Sequence, residues 1–260
     1  MAKTSKLSTS TSPLVMQSFF LIPLIIMLII TYLSAFDKHG KPVCDRYMLN
    51  SYLYAVTYLV MMAWFISLII LNNYGIENMN LFVVIGLAIL CVALVFIIYS
   101  IPKEMVLLKH ALSVLFIGLS ALFLSVLFQV FEIKSILFFI VMTILLFIIL
   151  TGITWKYQDM ISSRISFTLL IVFIILLVIE LLIGIFFPGT IFEKAIILIV
   201  LIFICYLLLV KTKKMIEDSR TCIADKGPDY VNNGVSLVIS FENILIRLLE
   251  LFGKKKKFGR

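Results

Sequence analysis

Seven blocks of apolar residues, each long enough to cross a bilayer, follow one another along this 260-residue chain, and an eighth, shorter and more polar, closes it. A hydrocarbon core about 30 Å thick takes roughly 20 residues of helix, and a spanning segment must satisfy its backbone hydrogen bonds internally. The blocks at 14–36, 48–71, 79–101, 107–130, 135–154, 165–187 and 192–210 therefore predict seven transmembrane helices. The expected fold class is all-α, a polytopic membrane protein with a short C-terminal helix, Val235 to Phe252, inside the bundle or at its mouth. With 63% hydrophobic and 14% charged residues and a mean hydropathy of +1.18, a water-soluble domain of this length is excluded. Connections this short leave no room for a separate extramembrane domain.

The formal net charge of +8 sits in short loops and in Lys254, Lys255, Lys256 and Lys257 near the end. That distribution predicts contact with anionic lipid headgroups and sets orientation; it does not point to nucleic acid. On alternate sides of the predicted spans, one side holds Lys38, Lys41, Arg46, Lys103, Lys156, Arg164, Lys211, Lys213, Lys214, Arg220 and Lys226. The other holds Lys3, Lys6, Lys134 and Lys194. Eleven cations against four, with Lys109 taken as a membrane-edge residue and the tail left out, make the first side cytoplasmic. The final basic tail, 254–260, is assigned to the same side. The N-terminus then lies outside despite Lys3 and Lys6, and 14–36 reads as a reverse anchor or a signal-like segment.

Catalytic constellations are missing from the pattern. Cys44, Cys91, Cys205 and Cys222 have no paired metal spacing and read as packing residues, with no disulfide, metal or cofactor expected. His39 and His110 stand alone near loop ends, and no phosphate loop, nucleophile elbow or zinc-protease helix occurs. An enzyme is not expected. What remains is charge at membrane depth, which is costly and must be neutralised, paired or wetted. Glu180 reads either as part of an ion or proton pathway or as a neutral acid bonded to a neighbouring helix. Glu242, Asn243 and Arg247 read either as a pore or gate lining or as the wet face of an amphipathic helix.

Two stretches carry a family resemblance. Phe186-Phe187-Pro188, Ile191 and Glu193, running through Cys205 to Val210-Lys211-Thr212, resemble the penultimate membrane helix of the Bax-inhibitor (transmembrane Bax inhibitor motif) family, which ends in Tyr-Asp-Thr or Val-Asp-Thr. Asp229-Tyr230-Val231, Ser236-Leu237, Phe241, Asn243-Ile244, Leu248-Leu249 and Leu251-Phe252-Gly253 resemble its closing segment, and Thr154 to Asp159 is similar to a family loop. The resemblance implies six helices over 48–210 and a seventh, 235–252, in the middle of the bundle. It implies domains of 1–36 (an added tail and helix), 37–253 (the family unit) and 254–260 (a basic cytoplasmic tail). It also implies a role in cell death or membrane calcium handling, in an endoplasmic reticulum or Golgi membrane if the cell is eukaryotic. Calcium, protons and other membrane proteins of the cell-death machinery are the partners it suggests, beside the bilayer.

The family's two aspartates, which share a proton and control a calcium leak, fall on Lys211 and Ser240; sliding the first by one residue gives Val210. Neither choice restores an acid, so the resemblance implies an altered or lost pH-sensing leak. Two readings from other classes remain: an ion channel or transporter lined by Glu180, Glu242, Asn243 and Arg247, and a scaffold binding partner helices.

Overall fold

A computed structural model describes residues 13–38, 40–72, 80–161, 167–222 and 228–256. Lys3, Lys6, His39, Arg164, Lys226 and Lys257 lie outside the described residues. Among the described residues, eight α-helices follow in order: α1 (Pro13–Ala35), α2 (Tyr47–Leu71), α3 (Leu81–Ser100), α4 (Val106–Val130), α5 (Ile133–Lys156), α6 (Phe167–Phe186), α7 (Ile191–Thr221) and α8 (Tyr230–Phe252). Among the described residues, α2, the stretch Phe82–Ser100, α4, α5 and α7 are long and apolar enough to cross a membrane; Leu21–Ala35 and Ile171–Gly184 add shorter apolar segments. The chain is an all-α polytopic membrane protein.

Local chemistry sets several of the boundaries. Asn80 caps α3 by accepting from the Phe82 amide at 3.0 Å. Thr190 caps α7 by accepting from the Glu193 amide at 3.3 Å while the Glu193 carboxylate accepts from the Gly189 amide, a reciprocal arrangement that satisfies two otherwise orphaned donors. Gly189, at φ +76°, makes the turn before it. Asp229 caps α8 through the Asn232 amide at 3.1 Å.

α7 runs about three turns beyond the expected 192–210. Thr212, Met215 and Ile216 recur on one buried face, so packing against protein continues the helix where lipid exposure has ended.

The closing helix is neither short nor at the mouth. Its 23 residues span roughly 35 Å at 1.5 Å per residue, and it packs against α2, α7, α5 and α4. Val235, Leu237, Val238, Ile244 and Leu249 are buried on one broad face of it. Its approach to α2 depends on Gly234, where an added Cβ would lie 2.9 Å from Tyr54 Cβ and 3.1 Å from the Tyr58 ring.

α8 also carries the chain from one end of the bundle to the other. At its start, the Tyr230 hydroxyl donates to the Val43 carbonyl before α2, and Asn233 donates to the Tyr47 and Ser51 hydroxyls at 3.1 and 3.0 Å. At its finish, the Glu132 amide donates to the Lys254 carbonyl and the Lys256 amide to the Val130 carbonyl, both at 2.9 Å. Residues 130–132 form the α4–α5 turn, at the end opposite to 37–46. The described residues of the tail, Lys254 to Lys256, therefore lie at the end of the bundle opposite the Lys38–Arg46 and Lys156 loops. For these residues the expectation of a shared side fails, because α8 runs from one end of the bundle to the other.

The cysteine expectation divides. Cys91 and Cys205 are free and sit within helices, whereas Cys44 and Cys222 form a disulfide joining the start of α2 to the end of α7. Separated by 178 residues, these two gave no local spacing to read.

Candidate functional site

The central helix gathers the polar groups. Lys211 on α7 reaches across to α8, where its Nζ donates to Ser240 Oγ at 3.1 Å and to the Ser236 carbonyl at 3.4 Å. Ser240 is itself buried and donates back to Ser236 at 3.0 Å. Lys211 and Ser240, adjacent to nothing in sequence, thus face one another in the core. Val210, the alternative produced by a one-residue slide, is fully buried but makes no such contact. The carbonyl and the hydroxyl accept from the ammonium that desolvation would otherwise penalise.

Arg247 and Glu180 are brought together as an ion pair between α8 and α6, with side chains 15% and 11% exposed. Arg247 also holds Glu250 at 2.7 Å, one turn further along α8. Asn243 donates to the Ile239 carbonyl of its own helix at 2.7 Å. Glu242 is not joined to this group: its Oε1 is sealed and has no hydrogen-bond partner. A crevice of about 360 Å³ opens between α2, α5 and α8, lined by residues such as Val56, Leu59, Phe147 and Phe241; none of Glu180, Glu242, Asn243 or Arg247 lines it.

The lysines of the tail are tied to the α4–α5 turn. The Lys254 amide donates to Ser135 Oγ at 3.0 Å, Lys255 bridges to Phe131, and Lys256 Nζ donates to the Phe128 carbonyl at 2.6 Å. All three remain exposed, where headgroup phosphates could meet them. Gly253 permits the close packing, since a Cβ there would lie 2.8 Å from the Phe131 ring.

Two features escape sequence reasoning. Lys109, expected at the membrane edge, is only 1% exposed and forms an ion pair with Asp229, 120 residues away. His110, expected at the surface, is half-buried with its ring stacked on Tyr54 at 5.6 Å between centroids, and its nitrogens are 3.4 and 3.5 Å from the Tyr54 and Tyr58 hydroxyls. Both sit in the first turn of α4, and their partners come from α2 and from the start of α8. The available signal was the pair of charges itself, because an apolar block that begins with Lys-His must place them against something polar.

The arrangement around α8 agrees with a comparison at the level of the whole sequence. Residues 44–257 match the family profile described as inhibitor of apoptosis-promoting Bax1. The chain belongs to the Bax-inhibitor family. The match begins at Cys44 and so covers α2 to α8, with α1 preceding it. Comparison with curated proteins and with solved structures returned no match. Lys211 and Ser240, the two positions on which the sequence resemblance sets an acidic pair, face one another, and neither residue is an acid.

Proposed function

We propose that this Bax-inhibitor protein regulates cell death or calcium handling from an internal membrane, the endoplasmic reticulum or Golgi in a eukaryotic cell, without the proton-gated calcium leak that the family resemblance implies. It acts through membrane and protein partners and not as an enzyme. The observation that carries this reading is the 3.1 Å contact between Lys211 Nζ and Ser240 Oγ. An acid pair at these positions would attract a divalent cation and share a proton; a lysine and a serine do neither. At an effective dielectric constant of about 20, a lysine ammonium roughly 4 Å from a calcium ion repels it by about 8 kcal/mol. A serine hydroxyl does not titrate near neutrality.

The test is calcium flux into liposomes that hold the purified protein. Flux at the level of protein-free liposomes is expected throughout the range from about pH 6 to about pH 8. A wild-type leak with a steep midpoint in that range would overturn the reading and move the sensor to other acids.

A further inference from the structure

α2, α5 and α8 leave a gap where they meet, the crevice of about 360 Å³. Its floor is buried and made by Ala55, Leu237 and Phe241. Its rim is not: Val56, Ile144 and Ile148 are 43%, 45% and 63% exposed, on helices long and apolar enough to cross a membrane, so the mouth opens sideways into lipid. Among the described residues, none that lines the crevice is charged. A cavity walled by hydrocarbon stays dry and takes up apolar molecules, which in a bilayer are lipids.

The crevice has one polar end. Tyr52 and Thr151, which line it, are joined hydroxyl to hydroxyl at 2.6 Å between α2 and α5. Thr143 and Thr154 of α5 donate to carbonyls of their own helix at 2.8 and 2.9 Å, whereas Thr151 turns its hydroxyl to Tyr52. Each hydroxyl has one proton and two lone pairs, so the bond between them leaves one proton and three lone pairs for a third hydroxyl. Tyr52 follows the start of α2 by five residues and Thr151 precedes the end of α5 by five, which sets the pair about 8 Å inside the helix ends. Helices of 25 and 24 residues overrun a 30 Å hydrocarbon core by about 3 Å at each end, so the pair lies just within the hydrocarbon boundary.

From this pair the crevice runs toward the middle of the bilayer, from Tyr52 to Leu59 along α2 and from Thr151 to Ile144 along α5. Seven residues of helix on either wall make it about 10 Å long. A methylene takes up about as much space as a water molecule, roughly 30 Å³, so there is room for about twelve carbons. A single extended chain covers the same 10 Å with about eight, at a little over 1 Å per carbon. The space is therefore about half as wide again as one acyl chain and suits a flat body of fused rings. A charged headgroup would find no cation in the lining, whereas a lone hydroxyl finds its match. We propose that the crevice binds a sterol, a flat fused-ring lipid with one hydroxyl, holding the hydroxyl on Tyr52 and Thr151 and the rings against Phe147 and Phe241. The site shares no residue with the Lys211–Ser240 contact and does not rest on the reading drawn from it.

The test is photolabelling of the full chain in phosphatidylcholine liposomes with a cholesterol that carries a diazirine on its ring system and keeps its hydroxyl. Label is expected on the peptides that hold 52–59, 144–151 or 237–241, and an excess of unlabelled cholesterol should displace it. Cholestene, which lacks the hydroxyl, should displace it about fivefold less well, the worth of one hydrogen bond. Tyr52→Phe with Thr151→Val keeps the shape and removes both hydroxyls, and should lower capture by a similar factor. Ala55→Phe fills the floor and should abolish capture. The competition series uses the wild type alone, so it decides the matter whether or not a variant folds. Three results would overturn the proposal: label spread over the lipid-facing helices, cholestene that competes as well as cholesterol, or a diazirine-bearing phosphatidylcholine captured in the crevice and not displaced by cholesterol. The last would give the crevice to an acyl chain.

Discussion

Asp229→Ala should lower the stability of the protein by about 3 kcal/mol or more. Lys109, the partner of Asp229, is only 1% exposed, and an ammonium left in that position without its carboxylate is a buried uncompensated charge. Removing one partner of a buried pair typically costs about 3–5 kcal/mol, and the 27% exposure of Asp229 places this case towards the lower end. The same substitution removes the N-cap of α8, the bond from the Asn232 amide, worth roughly 1 kcal/mol. Asp229→Asn separates the two effects, because asparagine caps nearly as well but carries no charge. Thermal unfolding in detergent should rank wild type above Asp229→Asn, and Asp229→Asn above Asp229→Ala. Lys109→Met in the Asp229→Ala background should recover much of the loss, because it takes away the orphaned charge.

Restoring acids at the facing positions should have the largest effect on transport. Lys211 and Ser240 already touch, so Lys211→Asp combined with Ser240→Asp sets two carboxyls side by side between α7 and α8. Such a pair cannot ionise fully at low cost, and one of its apparent pKa values rises towards neutrality. It also exchanges a repelling cation for an attracting anion. Calcium flux in liposomes should rise by an order of magnitude or more and acquire a dependence on pH that the wild type lacks. Lys211→Asp alone should give part of the rise in flux but little of the pH dependence, since it supplies one acid and no partner.

The helices were largely legible because lipid exposure needs only hydropathy and length, and the predicted spans differ from α1 to α6 by a residue or two at each end. α7 and α8 were harder for opposite reasons. The last turns of α7 are polar outside and apolar inside, as at Thr212, Met215 and Ile216, so hydropathy ends before the helix does. α8 is surrounded by protein, which lets it keep Ser240, Glu242 and Arg247 at membrane depth and hides its full span from any count of apolar residues. The pairing of Arg247 with Glu180 was foreseeable from cost alone, since a buried guanidinium needs an acid, whereas Lys109 with Asp229 and Cys44 with Cys222 depended on contacts across 120 and 178 residues.

Orientation shows how one misread helix propagates. With α8 running from end to end of the bundle, the described tail cations Lys254, Lys255 and Lys256 move to the side of Lys134 and Lys194, and that side rises from four to seven against eleven. The charge asymmetry that made the 37–46 end cytoplasmic is then much reduced. The disulfide at this end favours an oxidising compartment, opposite to what the remaining excess of cations favours. The crossing of α8 is therefore the feature on which the account rests, since it sets the contact between Lys211 and Ser240, the depth of Glu242 and the side of the tail. Its most direct test is labelling of Met160→Cys and Lys255→Cys, both at exposed positions, with an impermeant thiol reagent in sealed vesicles, in a chain whose Cys91 and Cys205 are replaced by serine. A bundle crossed by α8 places these two positions on opposite sides of the membrane; labelling of both from the same side would contradict it.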